Sequence, residues 1–405
     1  MKIVQINAVC DIGSTGDIVA GIDAVLKKSG NDSYIAAPAI SDDSSEYRIR
    51  IGTSGDHKLH AVYTRLTGKQ GQASRRATGR LIERLKTISP DIIHLHNIHS
   101  NYLNYPLLLR YTAEYQIPIV LTLHDCWFFT GKCNHFIDIG CDRWQTLCAD
   151  CPKKRQEIPS MFCDSSRSCF LLKKQLYDMN RVYVAGVSEW ITDCARRSPL
   201  FQKADVTHIL NGIDIDTFHP QCGDLRKDLN IGDAFVIVSM ANKWYLSQNE
   251  AAREAVLRLL GDDDRVVLVG CTEEQLSQPD DKRIVKLGYL KDKKQMAQVY
   301  ATGDLFLNLT LADTLPTVNM EALACGVPVV TYASGGSGEL VQDGESGYCV
   351  ATGDISRLTD AINQVKSGCI LPERCREIAE KLFDKRRNFT KYIQLYSKIL
   401  SDGTE

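Results

Sequence analysis

Residues 312–330, ADTLPTVNMEALACGVPVV, place Asp313 at the entrance to a short apolar helix and Glu321 within it, among Met320, Ala322, Leu323 and Ala324. A carboxylate in such company is costly unless a cation or a ligand engages it. DLFLNLT upstream reads as a strand and LADT as a turn. Pro316 suits the first turn of a helix, and Gly326 suits its C-terminal stop. Strand, turn and helix N-terminus in that order leave the backbone N–H groups of Thr317 and Val318 free to hold a phosphate. Asp313 and Glu321 would then bracket the ligand, each carboxylate accepting two hydroxyl hydrogen bonds. The spacing alone is equally consistent with a buried ion pair.

Other residues of the right types stand at the ends of apolar runs. IPIVLTLHD closes on His124 and Asp125, and DIIHLHN closes on His96 and Asn97, so both pairs face the end of a sheet where ligands bind. His94, His96, His99 and His124 lack a supporting carboxylate pattern, and no histidine metal site is expected. GSTGDI, residues 13–18, joins the first strand to the first helix; Gly13 and Gly16 would let backbone approach a ligand, with a plain tight turn as the alternative. It is not G-x-G-x-x-G and carries no dinucleotide signature. Cys133, Cys141, Cys148 and Cys151 follow the pattern C-x7-C-x6-C-x2-C, whose last pair is the knuckle favoured by structural zinc. A zinc staple for this long loop is one reading and free thiols the other. Residues 63–86 hold seven basic residues and the single acid Glu83, a candidate contact with an anionic membrane face or simply a solvated surface.

The elements that must position these residues alternate along the whole chain. KIVQINAV, DIIHLHN, IPIVLTLHD and VYVAGVS read as buried parallel strands, and FVIVSMA, DRVVLVG, RIVKLGYL, DLFLNLT and VPVVTYA repeat the theme. Segments such as TGRLIERLKTIS and NEAAREAVLRLLGD between them have helical apolar spacing. The pattern predicts an α/β protein of two doubly wound, Rossmann-like domains. Expected boundaries are 1–205 for the first domain with a Cys-rich insert at 126–163, 206–385 for the second, and 386–405 for a C-terminal helix returning to the first. Loops after the strands' C-terminal ends would face a cleft. A length of 405 residues fits two such domains, and a net charge of −2 argues against nucleic acid as the main partner. No leader or membrane span is expected from the start MKIVQINAVC or from any apolar run, which makes the cytoplasm the expected address, with peripheral contact at the inner membrane face through residues 63–86.

The Asp-x7-Glu pair followed by ALACGVPVV and GGSGELVQDGESGYCV resembles the C-terminal signature of retaining GT-B glycosyltransferases of family 4. NAVCDIGSTGDI, PDIIHLHNIHSNYLN, LTLHDCWFFTGKC, GVSEW, NGIDIDTFHP and LGYL extend the resemblance over nearly the whole chain, most closely to bacterial exopolysaccharide transferases of the colanic-acid type. The resemblance implies transfer of a hexosyl group, with retention, from a nucleotide-diphosphate sugar to a glycan or lipid-linked glycan, with no cofactor required for catalysis. Glu321 would bind the ribose hydroxyls and Asp313 the transferred sugar, with Leu315, Thr317 and Val318 around the diphosphate. Tyr289 and Leu290 would contact the base through backbone groups, which suits uracil and favours UDP; Asn211 and Gly212 would mark the hinge. His124 would position the transferred sugar, Gly16 would approach the donor, and Ser14, Thr15, His96 and Asn97 would face the acceptor.

Two departures from the family pattern stand out. Asp313 replaces the usual Glu, and SMANKWYLSQNE has Ser247, Gln248 and Asn249 where the family places an Arg and a Lys that neutralise the leaving diphosphate. Only Lys243 nearby supplies charge, with a solvated surface lysine as its plain reading. A GT-B subunit that binds nucleotide or a partner with little or no turnover is therefore the second reading of the chain.

Overall fold

KIVQI becomes an interior strand of a parallel sheet because layers on both faces bury everything after Lys2. The structure is a computed structural model that describes residues 1–405 except 11, 41–44, 222–224 and 403–405. Its first unit comprises residues 1–211 and 386–405, its second residues 212–385. The first sheet has strands β1 (Lys2–Ile6), β2 (Asp32–Ala37), β3 (Arg48–Arg50), β4 (Ile92–Leu95), β5 (Ile119–Leu123), β6 (Val182–Gly186) and β7 (Asp205–His208). Their spatial order is β3-β2-β1-β4-β5-β6-β7, all parallel.

The second sheet repeats the plan with β8 (Val236–Met240), β9 (Arg265–Val269), β10 (Ile284–Leu287), β11 (Leu305–Asn308), β12 (Val329–Tyr332) and β13 (Gly347–Val350). Their order is β10-β9-β8-β11-β12-β13, again parallel. In each sheet the winding reverses beside its first strand, between β1 and β4 and between β8 and β11. Beyond the carboxyl ends of strands at such a switch point the loops diverge and leave a crevice for ligands.

The chain's last helix, Lys385–Ser401, supplies the core of the first unit with Phe389, Tyr392, Leu395, Tyr396 and Ile399, packed on Ile3, Ile18, Ile22 and Leu26. Gly21 is required there: a Cβ would come within 2.4 Å of the Phe389 ring. Tyr396 and Tyr392 also anchor the helix by hydrogen bonds to His94 Nδ1 (2.7 Å) and Thr122 Oγ1 (3.0 Å).

The long insert after β5 is ordered by buried ammonium groups that cap backbone carbonyls. Lys132 Nζ donates to the carbonyl of Lys154 at 2.9 Å, Lys153 Nζ to that of His135 at 3.0 Å, and Lys173 Nζ to those of Trp127 and Thr130. Phe136 stacks on Trp144 with centroids 4.9 Å apart, and Phe129 meets Trp144 edge-to-face at 5.3 Å. The expected zinc ligands Cys133, Cys141, Cys148 and Cys151 lie in this insert as free thiols, and burial pushes Cys133 up to about 12 and Cys148 up to about 11. Among the described residues no group of three or more His, Cys, Asp or Glu is arranged to hold a metal ion. Inward-turned lysines and packed aromatic rings order this insert.

Candidate active site

At the switch point of the second unit, β11 leads through a loop to the helix Thr317–Ala324. Pro316 is its N-cap rather than its first helical residue, and no side chain caps the first turn. The N–H groups of Thr317 and Val318 therefore belong to the uncapped donors that a helix start presents. Cys325 and Gly326 close the other end; Gly326 has φ +80°, and the Val327 N–H returns to the Ala322 carbonyl at 3.0 Å. Asp313 Oδ1 accepts from the Leu315 N–H at 3.1 Å, which shapes the turn, and its carbonyl accepts from the Gly336 N–H at 3.3 Å. That last bond joins the loop after β11 to the loop after β12.

Glu321 is half-buried, and Tyr300, wholly buried on the neighbouring helix Lys293–Ala301, donates its hydroxyl to Glu321 Oε2 at 3.0 Å. Burial, and then the Glu321 charge, hold the Tyr300 hydroxyl well above its usual pKa, so it remains a donor. Around the helix tip lie five buried polar atoms with no hydrogen-bond partner: Asn308 Oδ1, Thr314 Oγ1, Asn319 Nδ2, Ser334 Oγ and Ser337 Oγ. Asn308 and Asn319 satisfy one another through a single bond of 2.8 Å, which leaves the other half of each amide open. Buried polar groups are normally paired, and this concentration at a sheet's carboxyl edge is what a polar ligand would satisfy. Neither Tyr300 nor the Asn308–Asn319 pair was singled out from sequence.

Lys243 is half-buried in the turn Ala241–Trp244 that follows β8, on the other side of the same switch point. Ser247 and Gln248 are exposed and bonded to each other at 3.1 Å. Asn249 is buried, and its amide donates to the carbonyls of Lys243 and Leu309, both at 2.8 Å. The position serves to staple two loops, a task for a neutral carboxamide. Leu315 is buried, Leu290 half-buried and Tyr289 75 % exposed. Asn211 is buried; its carbonyl accepts from Asn388 Nδ2 at 3.0 Å. A Cβ on Gly212 would lie 2.3 Å from the Lys385 Cα, so glycine is needed where these segments cross.

In the first unit, residues 13–18 are the opening turns of the helix Gly13–Lys28 rather than a loop. Gly13 has φ +67°, and the residue before it, Ile12, offers no side-chain cap. Ser14 is exposed, Thr15 half-buried and Gly16 buried. His124 is half-buried, and its Nε2 lies 2.9 Å from His96 Nδ1. His96 is wholly buried with both ring nitrogens engaged, which removes it from the direct acceptor contact expected of it: it stands behind His124. Asn97 is half-buried, and its N–H donates to Asn7 Oδ1 at 3.1 Å. His99 meets Asp125 Oδ2 at 2.8 Å. Burial pushes the Asp125 carboxyl up, but His99 and the Trp127 N–H outweigh it and hold the group below its usual value. His99 also lines a hollow of about 330 Å³ with Thr64, Arg65, Gln70, Asn101 and Asn134.

Burial keeps His60, His94, His96 and His124 neutral. His124 is pushed down to about 4, and His94 and His96 lie well below the usual value. His60, bonded through Nδ1 to Ser74 Oγ at 2.8 Å, is also pushed down to about 4. A histidine near 6.5 when unfolded and near 4 when folded stabilises fully above pH 6.5, and that stability is lost as pH falls toward 4. For His60 the loss is on the order of 3 kcal/mol. The melting temperature is expected to fall steadily from pH 6.5 to pH 4.5, and His60→Gln to fall less steeply. A flat profile for the wild type would contradict the buried neutral rings.

Two Rossmann-like units, the second with an uncapped helix tip at its switch point, fit the GT-B class of glycosyltransferases. The comparisons agree: residues 24–217 match the model of Glycosyltransferase Family 4, and residues 234–367 match that of Glycosyl transferases group 1. The chain is a GT-B glycosyltransferase built of these two domains. It is 23% identical over 327 residues to a protein of Escherichia coli K12 named as a colanic acid biosynthesis glycosyl transferase, WcaC, covering 78% of each chain. N-acetyl-α-D-glucosaminyl L-malate synthase of Bacillus anthracis is 27% identical over 212 residues, 49% of this chain and 55% of that protein. Among solved structures, Anabaena HepE in complex with UDP superposes with a TM-score of 0.66 at 16% identity, covering 98% of this chain and all of that one. Sucrose-phosphate synthase of Thermosynechococcus elongatus reaches 0.69 at 16% identity, with 99% of both chains covered.

Proposed function

We propose that this glycosyltransferase moves a hexosyl group, with retention, from a UDP-sugar to a glycan in bacterial surface or exopolysaccharide synthesis. The observation that carries the reading is the ring of unpartnered buried polar atoms around the uncapped tip of Thr317–Ala324. In this reading the Thr317 and Val318 amides hold the diphosphate, Glu321 the ribose hydroxyls and Asp313 the transferred sugar. Leu315 packs beside the diphosphate, Tyr289 and Leu290 meet the base through backbone groups, and Lys243 offsets the charge of the leaving diphosphate. Support for UDP comes from the complex of HepE with UDP, and support for the glycan acceptor from the colanic acid role in the WcaC name. With no carboxylate proposed as nucleophile, the acceptor hydroxyl attacks from the face the phosphate leaves, and the phosphate oxygen takes its proton. The first unit receives the acceptor, with Ser14, Thr15 and Asn97 on that side. The test is transfer from UDP-hexoses followed by NMR of the product's anomeric centre: the donor's configuration is expected, and its inverse would contradict retention.

The acceptor is lipid-linked in this reading, and the first unit meets the membrane. Helix Ser54–Thr67 exposes Leu59 (73 %), Val62 (52 %) and Leu66 (45 %) at helical spacing, with Lys58 and Arg65 alongside. Exposed Met161 and Phe162 continue the apolar strip, since the Met161 N–H donates to the Arg65 carbonyl at 2.7 Å. Apolar residues rimmed by bases suit an anionic interface, where each base adds about 1 kcal/mol. The contact centres on residues 58–69 and 161–162, because farther along the 63–86 stretch Arg80 pairs with Asp56 at 3.6 Å and Lys86 with Glu83 at 2.9 Å. Sedimentation is expected with phosphatidylglycerol vesicles and not with pure phosphatidylcholine, and to be lost in Leu59→Asp. Equal binding of wild type and variant would contradict this contact.

A further inference from the structure

The hollow beside His99 offers more hydrogen-bond donors than acceptors, and its donors are held in place. It measures about 330 Å³, and its polar walls are Thr64, Arg65, Gln70, His99, Asn101 and Asn134, all within the first unit. The indole N–H of buried Trp127 lies 2.8 Å from Gln70 Oε1. An indole nitrogen can only donate, so the Gln70 oxygen must meet it, and the amide nitrogen is the end left for a ligand. Gln70 is buried, and the chain beneath it is clamped: Gly71 has φ +69°, and a Cβ there would stand 2.7 Å from the Tyr105 ring. Thr64 Oγ1 donates to Asn101 Oδ1 at 2.9 Å, so Asn101 also has its amide nitrogen to offer. Arg65, an exposed residue, adds its guanidinium.

Two carboxylates border these walls, and both are engaged. Asp125 Oδ2 meets His99 Nε2 at 2.8 Å, and its Oδ1 accepts from the main-chain N–H of Trp127 at 2.8 Å. Glu157 Oε2 accepts from the main-chain N–H of Asn134 at 2.7 Å, and its Oε1 pairs with Lys153 Nζ. Two primary amides and a guanidinium therefore stand against two acceptors. These are Asn134 Oδ1, buried without a partner, and His99 Nδ1, since that ring points its hydrogen from Nε2 at Asp125. Every hydroxyl of a neutral sugar brings a hydrogen that needs an acceptor, whereas a carboxylate brings acceptor oxygens alone.

We propose that this hollow receives an acidic sugar of the acceptor, its carboxylate held by the amide nitrogens of Gln70 and Asn101 and by Arg65, and its hydroxyls met by Asn134 and His99. The assignment rests on the reading of the first unit as the acceptor side. Hydrogen bonds to a charged group are about twice as strong as neutral ones, so an acidic sugar should bind about tenfold tighter than its neutral counterpart.

The test titrates the full chain, labelled with 15N-tryptophan, with methyl glucuronide, methyl glucoside and glucose 6-phosphate. The reporter is the Trp127 indole signal, whose N–H rests on Gln70, assigned by its displacement in Gln70→Glu. That substitution keeps an oxygen for the indole and replaces the amide nitrogen by a charged acceptor. In the wild type the signal is expected to move at about tenfold lower concentration of the glucuronide than of the glucoside. In Gln70→Glu the glucuronide response should vanish and the glucoside response persist, and in Arg65→Gln, altered only at an exposed position, the two midpoints should converge. Equal midpoints in the wild type overturn the acidic preference. Tighter binding of glucose 6-phosphate than of the glucuronide overturns the carboxylate in favour of a phosphate. A signal unmoved by all three overturns the hollow as a sugar site. UDP binding by the same sample tells these failures from a failure of the transferase reading, since the nucleotide seat lies in the second unit and none of the three outcomes alters it.

Discussion

Glu321→Ala is expected to lower kcat/KM by about 10²–10³, the loss of two charge-assisted hydrogen bonds to hydroxyls at about 1.5–3 kcal/mol each, partly recovered by water. The same substitution strands the buried Tyr300 hydroxyl, whose partner at 3.0 Å is Glu321 Oε2, and so also lowers stability. Glu321→Gln separates the two effects. An amide oxygen still accepts from Tyr300, so the melting temperature should stay close to wild type. A neutral amide accepts more weakly from hydroxyls than a carboxylate, so UDP affinity should fall by about tenfold or more. Measurement of UDP binding and thermal unfolding on both variants checks the pair. Were Glu321→Gln to bind UDP as the wild type does, the carboxylate would be a structural partner of Tyr300 and nothing more.

Lys243→Ala is expected to reduce kcat by about 10²–10³ with a much smaller change in KM, because charge on the leaving diphosphate grows in the transition state. The turn itself should survive, since Asn249 holds the Lys243 carbonyl, and the side chain takes no part in that bond. The reason so much falls on one lysine is local. Asn249 Nδ2 bridges the carbonyls of Lys243 and Leu309, and Arg253 spends its guanidinium on the carbonyls of Trp244 and Leu246, at 2.8 and 3.1 Å. Both are committed to holding the loop. Steady-state kinetics decide between the two readings of the chain: a kcat reduced less than threefold would remove Lys243 from the reaction, and negligible turnover in wild type and variant alike would favour a subunit that binds without reacting.

What sequence reveals and conceals here follows from the range over which each interaction acts. Nine of the thirteen described strands were legible because burial on both faces demands apolar runs such as IVLTL and VIVSM. β2, β3, β7 and β13 went unread, the last three being short, partly exposed strands at a sheet edge. The end of the helix at Gly326 was legible because a left-handed residue is a local requirement. The first turn of Gly13–Lys28 was read as a loop, since two glycines and two hydroxyl residues mimic a turn; packing of Ile18, Val19, Ile22 and Leu26 carries the helix back through them. Partners distant in sequence left no local mark. Tyr300 lies 21 residues before Glu321, Gln5 91 before His96, and Tyr396 302 after His94. Nor does composition show that Lys132, Lys153 and Lys173 would turn inward to cap carbonyls.

The hollow beside His99 is walled by residues from helix Ser54–Thr67, from the segment after β4 and from the insert, an assembly of three distant stretches with no shared motif. Under the proposal above, its polar walls would take the sugar of the acceptor.

The most direct measurement is calorimetric titration of the full chain with UDP, UMP and uridine under one set of conditions. A diphosphate seated on the Thr317–Val318 helix tip predicts that affinity rises with each phosphate, UDP binding at least about tenfold tighter than uridine, as expected for charge-assisted bonds to backbone N–H groups. Equal affinities for the three, or no binding by any, would contradict the placement of the donor at that helix.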